Sequence, residues 1–495
     1  MVKEIARNIF SRDWFRIIYL VVSILYFMPS TMNIELIPSF VVIGWGGIII
    51  VYDFFTKRIM FQNKYWKYFM IIIFVYIISI LLNHNHALFR GVYNLVFLFI
   101  TFFLVFPFDL TKSKEAVTDH FKKLNDIFIV LIFIGSTISL ILFMFNVSYV
   151  LESNDIRQGF IESRLFGIYS SPNVGSVLGY ISVMLSLINN IIKRGNLYSF
   201  NAFYFFNAIV QILFFILATS RGTSIIIISN IFLLSIFYVY PYFKRLTLNK
   251  GLSILTSFFI LIGFLTFSNQ TISIIRSGLS YVPGIVYTVS NPKQSDLMTE
   301  EEIIMQEEVG IEQRELGSQR VVIRHSSEEA EVSSGRLNIW RAGLDVVKQS
   351  PLFGITDPNL YRDTESTNAI DEELLSENSR IVLDRSSGNM HNLFIQILIT
   401  SGIIGFVALG IYLIKYLFDI GKFVSAENLS TNDYTLYLLI FITMISFFAG
   451  ELVESRLIFM NRNVVAIVFW YLSGVLNFYK EKSMQKNKTG IEGEK

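Results

Sequence analysis

The sequence predicts an all-α integral membrane protein with about twelve transmembrane helices and one large, mostly helical extracytoplasmic loop between spans 9 and 10. Of its 495 residues, 53% are hydrophobic and only 16% are charged, whereas soluble domains carry about 25% charged residues. The mean hydropathy is +0.53. The third observation is a recurrence of apolar segments close to the length of about 20 residues that a membrane helix needs.

Twelve apolar segments follow one another along the chain. They lie at about 15–31, 35–52, 68–82, 88–108, 126–146, 172–192, 200–218, 222–240, 252–269, 391–417, 434–450 and 463–479. Only the tight turn Thr219-Ser220-Arg221 separates the seventh segment from the eighth.

These segments divide the chain into four parts. Spans 1–9 occupy residues 1–269, and an extracytoplasmic loop or lid occupies residues 270–390. Spans 10–12 occupy residues 391–479, and a cytoplasmic tail occupies residues 480–495.

The orientation of the chain follows from Lys and Arg, which are in excess in cytoplasmic loops. With residue 1 inside, the inner segments hold 24 Lys and Arg, against 6 in the short outer loops. Both termini are therefore predicted to be cytoplasmic.

The type of cation also differs between the two faces. The inner segments hold 18 Lys and 6 Arg, whereas the outer ones, with the long loop, hold 15 Arg and 2 Lys. Arginine binds phosphate or carboxylate through two parallel N–H groups, whereas lysine acts as a point charge. The outer arginines thus indicate a site for a phosphorylated or acidic substrate. Alternatively, they pair with outer carboxylates such as Glu162, Glu451 and Glu454.

The long loop contains an acidic stretch and an amphipathic segment. Residues 296–332 hold 11 acidic residues against 3 Arg, which predicts a solvated helix or flap without chemistry. Ser334 to Ser350 predicts a helix that Pro351 ends. Its apolar face would consist of Leu337, Trp340, Leu344 and Val347. This helix would either lie on the membrane surface over a cavity, with Arg336 in its first turn, or serve only for packing.

His391 stands where the polar end of the loop meets the tenth apolar segment. Asn392 follows it, and this face is rich in arginine. Neighbouring cations would favour a neutral imidazole, which can accept a proton. We therefore predict a catalytic base or substrate ligand at His391, with a purely structural histidine as the alternative.

Several classes of protein are excluded by what the sequence lacks. It has no Cys, and therefore no disulfides, thiolate metal sites or Cys nucleophile. A net charge of +2 indicates no nucleic-acid partner. No P-loop, dinucleotide fingerprint or Gly-x-Ser-x-Gly motif occurs.

Five short motifs occur in order on the predicted outer face. They are RLFGIYSSPN at 164–173, SRG at 220–222, GRLNIW at 335–340, PLFG at 351–354 and HNLFIQILITSGIIG at 391–405. Together they resemble the O-antigen ligase and polysaccharide repeat-unit polymerase family, over about residues 160–415. Ile355-Thr356 departs from the pattern, since the family often has a second Gly after Gly354.

The resemblance implies a glycosyltransferase of the helical GT-C type, acting at the outer face of a bacterial cytoplasmic membrane. Its donor would be a glycan on polyprenyl (undecaprenyl) diphosphate, and its product a capsule, exopolysaccharide or O-antigen. By match to the motifs, Arg164 and Arg221 would hold the diphosphate. Arg336 and His391 would be essential to the transfer.

The chemistry of such a transfer suits these residue types. Negative charge builds on the leaving diphosphate, and several arginines would neutralise it without a metal. His391 would position or deprotonate the acceptor hydroxyl, while Asn173 and Asn392 would orient the sugar or the key side chains. We expect no cofactor, because the first outer loop, 32–34, lacks the acidic residues that metal-dependent lipid-linked sugar transferases usually carry there.

Three functions stay open. The first is a polymerase of lipid-linked repeat units, working in the lipid bilayer with a flippase and a chain-length regulator. The second is a ligase that moves finished glycan to another lipid, protein or wall polymer. The third, a secondary transporter, is disfavoured because no internal repeat is evident and the spans contain almost no acidic residues.

Overall fold

The chain folds mainly into long α-helices. A computed structural model describes residues 10–29, 39–151, 156–195, 199–239, 250–290, 321–323, 331–357, 375–386, 388–425, 429–459 and 463–492. The helices before the long loop are α1 (Arg12–Tyr26), α2 (Ser39–Phe55), α3 (Ile59–Gln62), α4 (Trp66–Leu82), α5 (His84–Ile100), α6 (Lys114–Met144), α7 (Pro172–Arg194), α8 (Ala202–Ala218), α9 (Arg221–Leu234), α10 (Lys250–Leu279) and α11 (Val282–Ser290). Those that follow are α12 (Glu331–Gln349), α13 (Glu377–Ser386), α14 (Leu393–Val424), α15 (Thr431–Gly450) and α16 (Val464–Glu492).

Each of the twelve predicted apolar segments overlaps one of these helices. Six helical stretches among the described residues are long and apolar enough to cross a membrane. They are Ala87–Val105, Lys114–Met144, Pro172–Arg194, Ile254–Tyr287, Leu393–Val424 and Thr431–Gly450. Four further apolar helices are shorter, at 10–17 residues. The chain is therefore a mostly helical membrane protein, while the count of twelve spans stays a prediction.

One predicted boundary falls differently in the structure. Helix α10 continues to Leu279, ten residues past the predicted end of span 9. Most of the acidic stretch 296–332, including His325, lies outside the described residues.

Aromatic side chains fill the centre of the helical bundle. Phe69 on α4 stacks on Phe102 with ring centroids 4.5 Å apart. Tyr412 on α14 stacks on Trp470 on α16, at 5.8 Å between centroids. All four rings are buried, so α4, α14 and α16 form one packed core.

A three-stranded antiparallel sheet interrupts the helices between α6 and α7, so the all-α expectation is wrong in this region. The strands are β1 (Ser148–Leu151), β2 (Ile156–Ile161) and β3 (Arg164–Gly167) in the order β1-β2-β3. Gly159 lies at a register shift in β2 with φ +88°, where a Cβ would lie 2.0 Å from the carbonyl oxygen of Val147. Such short strands leave almost no periodic signal in the sequence.

Helix α14 is broken at Gly402, whose φ is 64° and ψ −170°. Residues 351–356, which follow α12, form an inserted segment at this break. The Ile355 N–H donates to the Ile399 carbonyl at 2.7 Å, and the Ile403 N–H to the Pro351 carbonyl at 2.8 Å. These bonds replace helical bonds that the break removes. The sequence predicted span 10 but not its interruption.

Thr356, in the pair Ile355-Thr356 that follows Gly354, adopts a backbone conformation that favours glycine. Its φ is +73°, a conformation that costs a non-glycine residue free energy. The Thr356 hydroxyl lies 2.9 Å from Ser79 Oγ and accepts from Asn83 Nδ2 at 3.3 Å. These bonds to α4 and its C-cap hold the strained residue in place.

Helix α12 confirms the helix predicted from Ser334 to Ser350, but its buried face differs from the prediction. Leu337 and Leu344 are 48% and 44% exposed, whereas Ala342 and Val346 are buried. The buried pair belongs to a small core with residues of α13, α14 and the inserted segment. The spacing of large apolar residues misled the prediction because the contact with α14 needs small side chains. At Gly343, on the same face, a Cβ would lie 2.7 Å from Met390 Sδ.

Candidate active site

The centre of the candidate site is a carboxylate that the sequence motifs do not contain. Glu454 follows α15, and its side chain is only 8% exposed. Its Oε1 lies 3.1 Å from Arg456 Nη2 and 3.7 Å from Arg336 Nη2. Its Oε2 lies 3.4 Å from Nδ1 of His391. One buried carboxylate thus gathers three of the basic groups that face this end of the bundle.

Glu454 is ionised in this setting. Burial alone would raise its pKa, but the charge of Arg456, the hydrogen bond with His391 and the charge of Arg336 outweigh burial and hold the pKa of Glu454 at about 2. Although Oε1 faces two guanidinium groups, no described donor makes an aligned hydrogen bond to it. The cluster therefore carries more positive than negative charge, as a site for an anionic substrate requires.

His391 is held by its backbone and remains accessible. Its φ is +45°, and its N–H donates to Asn389 Oδ1 at 2.9 Å. Ser455, the neighbour of Glu454, also donates to Asn389 Oδ1, at 2.8 Å. The imidazole is 34% exposed. If Nδ1 carries the proton towards Glu454, Nε2 keeps a lone pair for an acceptor group.

Asn392 caps α14. Its Oδ1 accepts from the N–H groups of Phe394 and Ile395, at 3.0 and 3.2 Å, and its Nδ2 donates to the Leu452 carbonyl at 3.0 Å. These bonds tie the start of α14 to the segment that carries Glu454. Asn392 was predicted to orient the sugar or the key side chains. Its bonds in the structure hold His391 next to Glu454.

Glu451 braces the same segment from inside the protein. Its Oε2 accepts from the N–H groups of Arg456 and Leu457, at 2.6 and 3.2 Å, and its carbonyl accepts from the Leu393 N–H at 3.0 Å. Burial raises the pKa of Glu451 to about 8, although Arg456 acts in the opposite direction. This carboxyl therefore serves the geometry of the loop.

Arg164 and Asn173 form a second group nearby. Arg164 begins β3, and its Nη2 donates to Asn173 Oδ1 at 3.1 Å. Asn173 lies in the first turn of α7, which Ser171 caps. The Nε of Arg164 donates to the carbonyl of Ala218, the last residue of α8, at 3.0 Å. Two residues that the sequence places nine positions apart are thus held as a pair.

The turn between α8 and α9 joins the two groups. It starts at the Ala218 carbonyl that Arg164 contacts. Ser220 caps α9, so that Arg221 is the first helical residue. At Gly222, a Cβ would lie 3.2 Å from Glu454 Oε1 and 3.8 Å from Arg456 Nη2. Arg221 therefore begins a helix between the Arg164–Asn173 pair and the Glu454 cluster.

The structure thus brings the predicted site residues to one end of the bundle in two adjoining groups. Sequence reasoning missed the role of Glu454, and it counted Arg456 only as one of the outer arginines. The available signal was the charged stretch ELVESR, at 451–456, directly after an apolar span, because charges at membrane depth are rare without a role. The alternative of plain ion pairing also applies, since Arg157 pairs with Glu162 on the sheet.

Comparison with known proteins matches part of the chain to one family. Residues 206–410 match the family model described as O-antigen ligase. A search of curated proteins finds no match. The matched segment contains Arg221, Arg336, His391 and Asn392, together with the inserted segment and the break in α14. Over residues 206–410, the chain is therefore similar to the O-antigen ligase family.

Proposed function

We propose that this protein polymerises lipid-linked oligosaccharide repeat units at the outer face of a bacterial cytoplasmic membrane. Both termini would be cytoplasmic. The donor is a glycan on polyprenyl diphosphate, and the acceptor is a sugar hydroxyl of a second lipid-linked glycan. The observation that carries the proposal is the cluster of Arg336, His391 and Arg456 around Glu454, beside the N-terminus of α9.

The arginines supply the charge that the leaving group needs. As the bond between the anomeric carbon and the diphosphate oxygen breaks, its electron pair stays on the diphosphate. Arg164, Arg221 and Arg336 bind this growing charge from three separate elements. The N-terminus of α9 adds oriented N–H groups beside Arg221. In this proposal the clamp does not depend on a metal or another cofactor.

His391 activates the acceptor. With Nδ1–H donating to Glu454, Nε2 takes the proton of the acceptor hydroxyl as its oxygen bonds to the anomeric carbon. The products are the lengthened glycan and free polyprenyl diphosphate, and the proton stays on Nε2 of His391. Glu454 holds the imidazole in this tautomer and stabilises its charge after proton transfer, as carboxylates do in other acid–base pairs. The contact of 3.4 Å would shorten when substrate binds.

The two asparagines act on geometry. Asn173 accepts from Nη2 of Arg164 at 3.1 Å and so fixes the orientation of that guanidinium group. Asn392 fixes the end of α14 and with it His391. We therefore assign both of them to positioning in this proposal.

A ligase is the second candidate, because the matched family model is described as O-antigen ligase. Its chemistry at Arg336 and His391 would be the same, and only the acceptor would differ.

The test is transfer by the purified protein with a polyprenyl-diphosphate oligosaccharide, in the presence of chelator. The wild type is compared with His391→Ala, Arg221→Ala and Arg336→Ala. Arg341→Ala is the matched control, because Arg341 lies on α12 with Arg336 but is exposed. We expect a ladder of longer lipid-linked glycans from the wild type and the control. The three site variants should lose it by on the order of a hundredfold or more.

Other outcomes have definite meanings. One discrete product on an added lipid or protein acceptor would identify a ligase. Full activity in any site variant would remove that residue from the mechanism. No transfer with any acceptor, together with movement of glycolipid across vesicles, would replace the enzyme with a transporter.

A further inference from the structure

A cationic cavity lies far from the candidate active site. It has a volume of about 400 Å³ and lies between the start of α1, the end of α2 and the start of α6. His120, in the second turn of α6, lines it. Ser139, nineteen residues further along α6, accepts from the Ile168 N–H next to β3. At 1.5 Å per residue, the cavity and the Arg164 strand are about 30 Å apart along the helix.

The cavity has an excess of positive charge. Five cations line it, namely Arg12, Arg16, Lys57, Lys112 and Lys123. The carboxylates that line it are Asp13, Asp53 and Asp109. Arg12 pairs with Asp53 at 2.8 Å, while Arg16 and Lys112 both contact Asp13. Among the described residues, Lys57 and Lys123 have no carboxylate partner, so the cavity suits an anion.

The two arginines are built into the wall and keep unused donors. Arg12 and Arg16 are only 8% and 3% exposed. Their terminal nitrogens donate to the Pro107 carbonyl, at 3.2 and 2.6 Å, and Arg16 lies 4.0 Å from the centroid of the Phe108 ring. The Nε of each arginine has no hydrogen-bond partner among the described residues. A buried donor without an acceptor is costly and calls for an occupant.

The mouth of the cavity carries exposed aromatic rings. Trp14 and Tyr52 are 43% and 41% exposed, and both line the cavity. The Lys123 ammonium lies 5.0 Å from the centroid of the Trp14 ring. Tyr and Trp of this kind mark the level where lipid headgroups meet water. An anion that is attached to an acyl chain therefore fits better than a fully soluble one.

We propose that this cavity binds the phosphate group of an anionic lipid, in the leaflet opposite the candidate active site. Arg12 and Arg16 contact the phosphate from the buried side, and Lys57 and Lys123 contact it from the rim. The acyl chains run past Trp14 and Tyr52 along α1 and α2. Given the predicted orientation, this is the cytoplasmic leaflet, where basic pockets between membrane helices bind acidic headgroups. The site is separate from glycosyl transfer and does not depend on it.

The test measures lipid binding to the delipidated full-length protein by native mass spectrometry and by the thermal unfolding midpoint. The probes are phosphatidylglycerol, phosphatidylcholine with the same acyl chains, and inorganic phosphate. Because Arg12 and Arg16 are buried, the test variant removes the rim instead, as Lys57→Ala with Lys123→Ala. The control, Lys67→Ala with Lys122→Ala, removes the same charge from α4 and α6 outside the cavity.

We expect wild-type protein to bind phosphatidylglycerol at least about tenfold more tightly than phosphatidylcholine, and binding should weaken as salt increases. The rim variant should lose about tenfold in affinity for phosphatidylglycerol, and the control variant should keep it. Equal binding of both lipids, or equal loss in both variants, would overturn the proposal. Stabilisation by inorganic phosphate without any by phosphatidylglycerol would overturn the assignment to a lipid.

Discussion

Two carboxylates near opposite ends of α14, Glu454 and Asp419, are each surrounded by basic side chains but differ in function. Glu454 faces the start of the helix and Asp419 lies near its end. Asp419 is hydrogen-bonded to Tyr65 at 2.9 Å and paired with Lys64 at 2.7 Å and Lys415 at 3.2 Å. Every one of these contacts is short and direct. The nearest groups to Glu454 are arginines and a histidine, at 3.1–3.7 Å.

The difference lies in what the cations can still do. Lysines around Asp419 are 41% and 49% exposed, and the cluster ties α4 to α14 at the surface. Around Glu454, Arg456 and Arg336 are 9% and 24% exposed, and their planar groups keep N–H donors beyond the carboxylate. Asp419, with short bonds to lysines, thus links two helices. Glu454, which lies between arginines and a histidine, is suited to substrate binding and proton transfer.

The largest effect is expected at Gly402, where α14 is broken. In Gly402→Ala, the new Cβ would lie 2.2 Å from the Leu352 carbonyl oxygen, at a φ of +64°. Strain and overlap together should lower the free energy of unfolding by about 3 kcal/mol or more. Gly410→Ala is the control on the same helix, since nothing lies within 4 Å of its Cβ position. The unfolding midpoint of each variant is measured in detergent. Equal midpoints would contradict the close packing of the inserted segment against Gly402.

The next largest effect comes from neutralising Glu454, and Asp419 serves as the comparison. Glu454→Gln keeps the shape of the side chain but removes the charge that orients His391 and balances two arginines. Transfer should fall on the order of a hundredfold. Asp419→Asn should lower the unfolding midpoint slightly, while the transfer rate of folded protein stays within about twofold. Comparable losses of transfer in both variants would show that the two clusters do not differ in function.

Helix positions were predictable because apolar runs are a local signal. The motifs also placed Arg164, Arg221, Arg336 and His391 on one face. The partners of these residues were not predictable, because Glu454 meets Arg336 across 118 positions of sequence. The break at Gly402 likewise depends on a segment about 50 residues earlier. Local patterns therefore indicated which residue types matter, while only tertiary structure showed what orients them.

The smallest effect concerns the brace behind the Glu454 cluster and appears as a pH dependence. The pKa of Glu451 is about 8 in the folded protein, against about 4.3 in an unfolded chain. Between these values the folded state holds the extra proton, so the free energy of unfolding falls as pH rises. Glu451→Gln keeps an acceptor for the Arg456 and Leu457 N–H groups but does not titrate. From pH 6 to pH 8, the wild type should lose about 2 kcal/mol more than this variant.

Unfolding midpoints across this range measure the difference between the two proteins. Glu377→Gln is the matched control, because Glu377 is exposed at the start of α13, and it should follow the wild type. The same decline in Glu451→Gln would mean that another group titrates. Glu451 would then not be the neutral acid that holds the loop, in contrast to Glu454, three residues on, which stays charged to bind the arginines and orient His391.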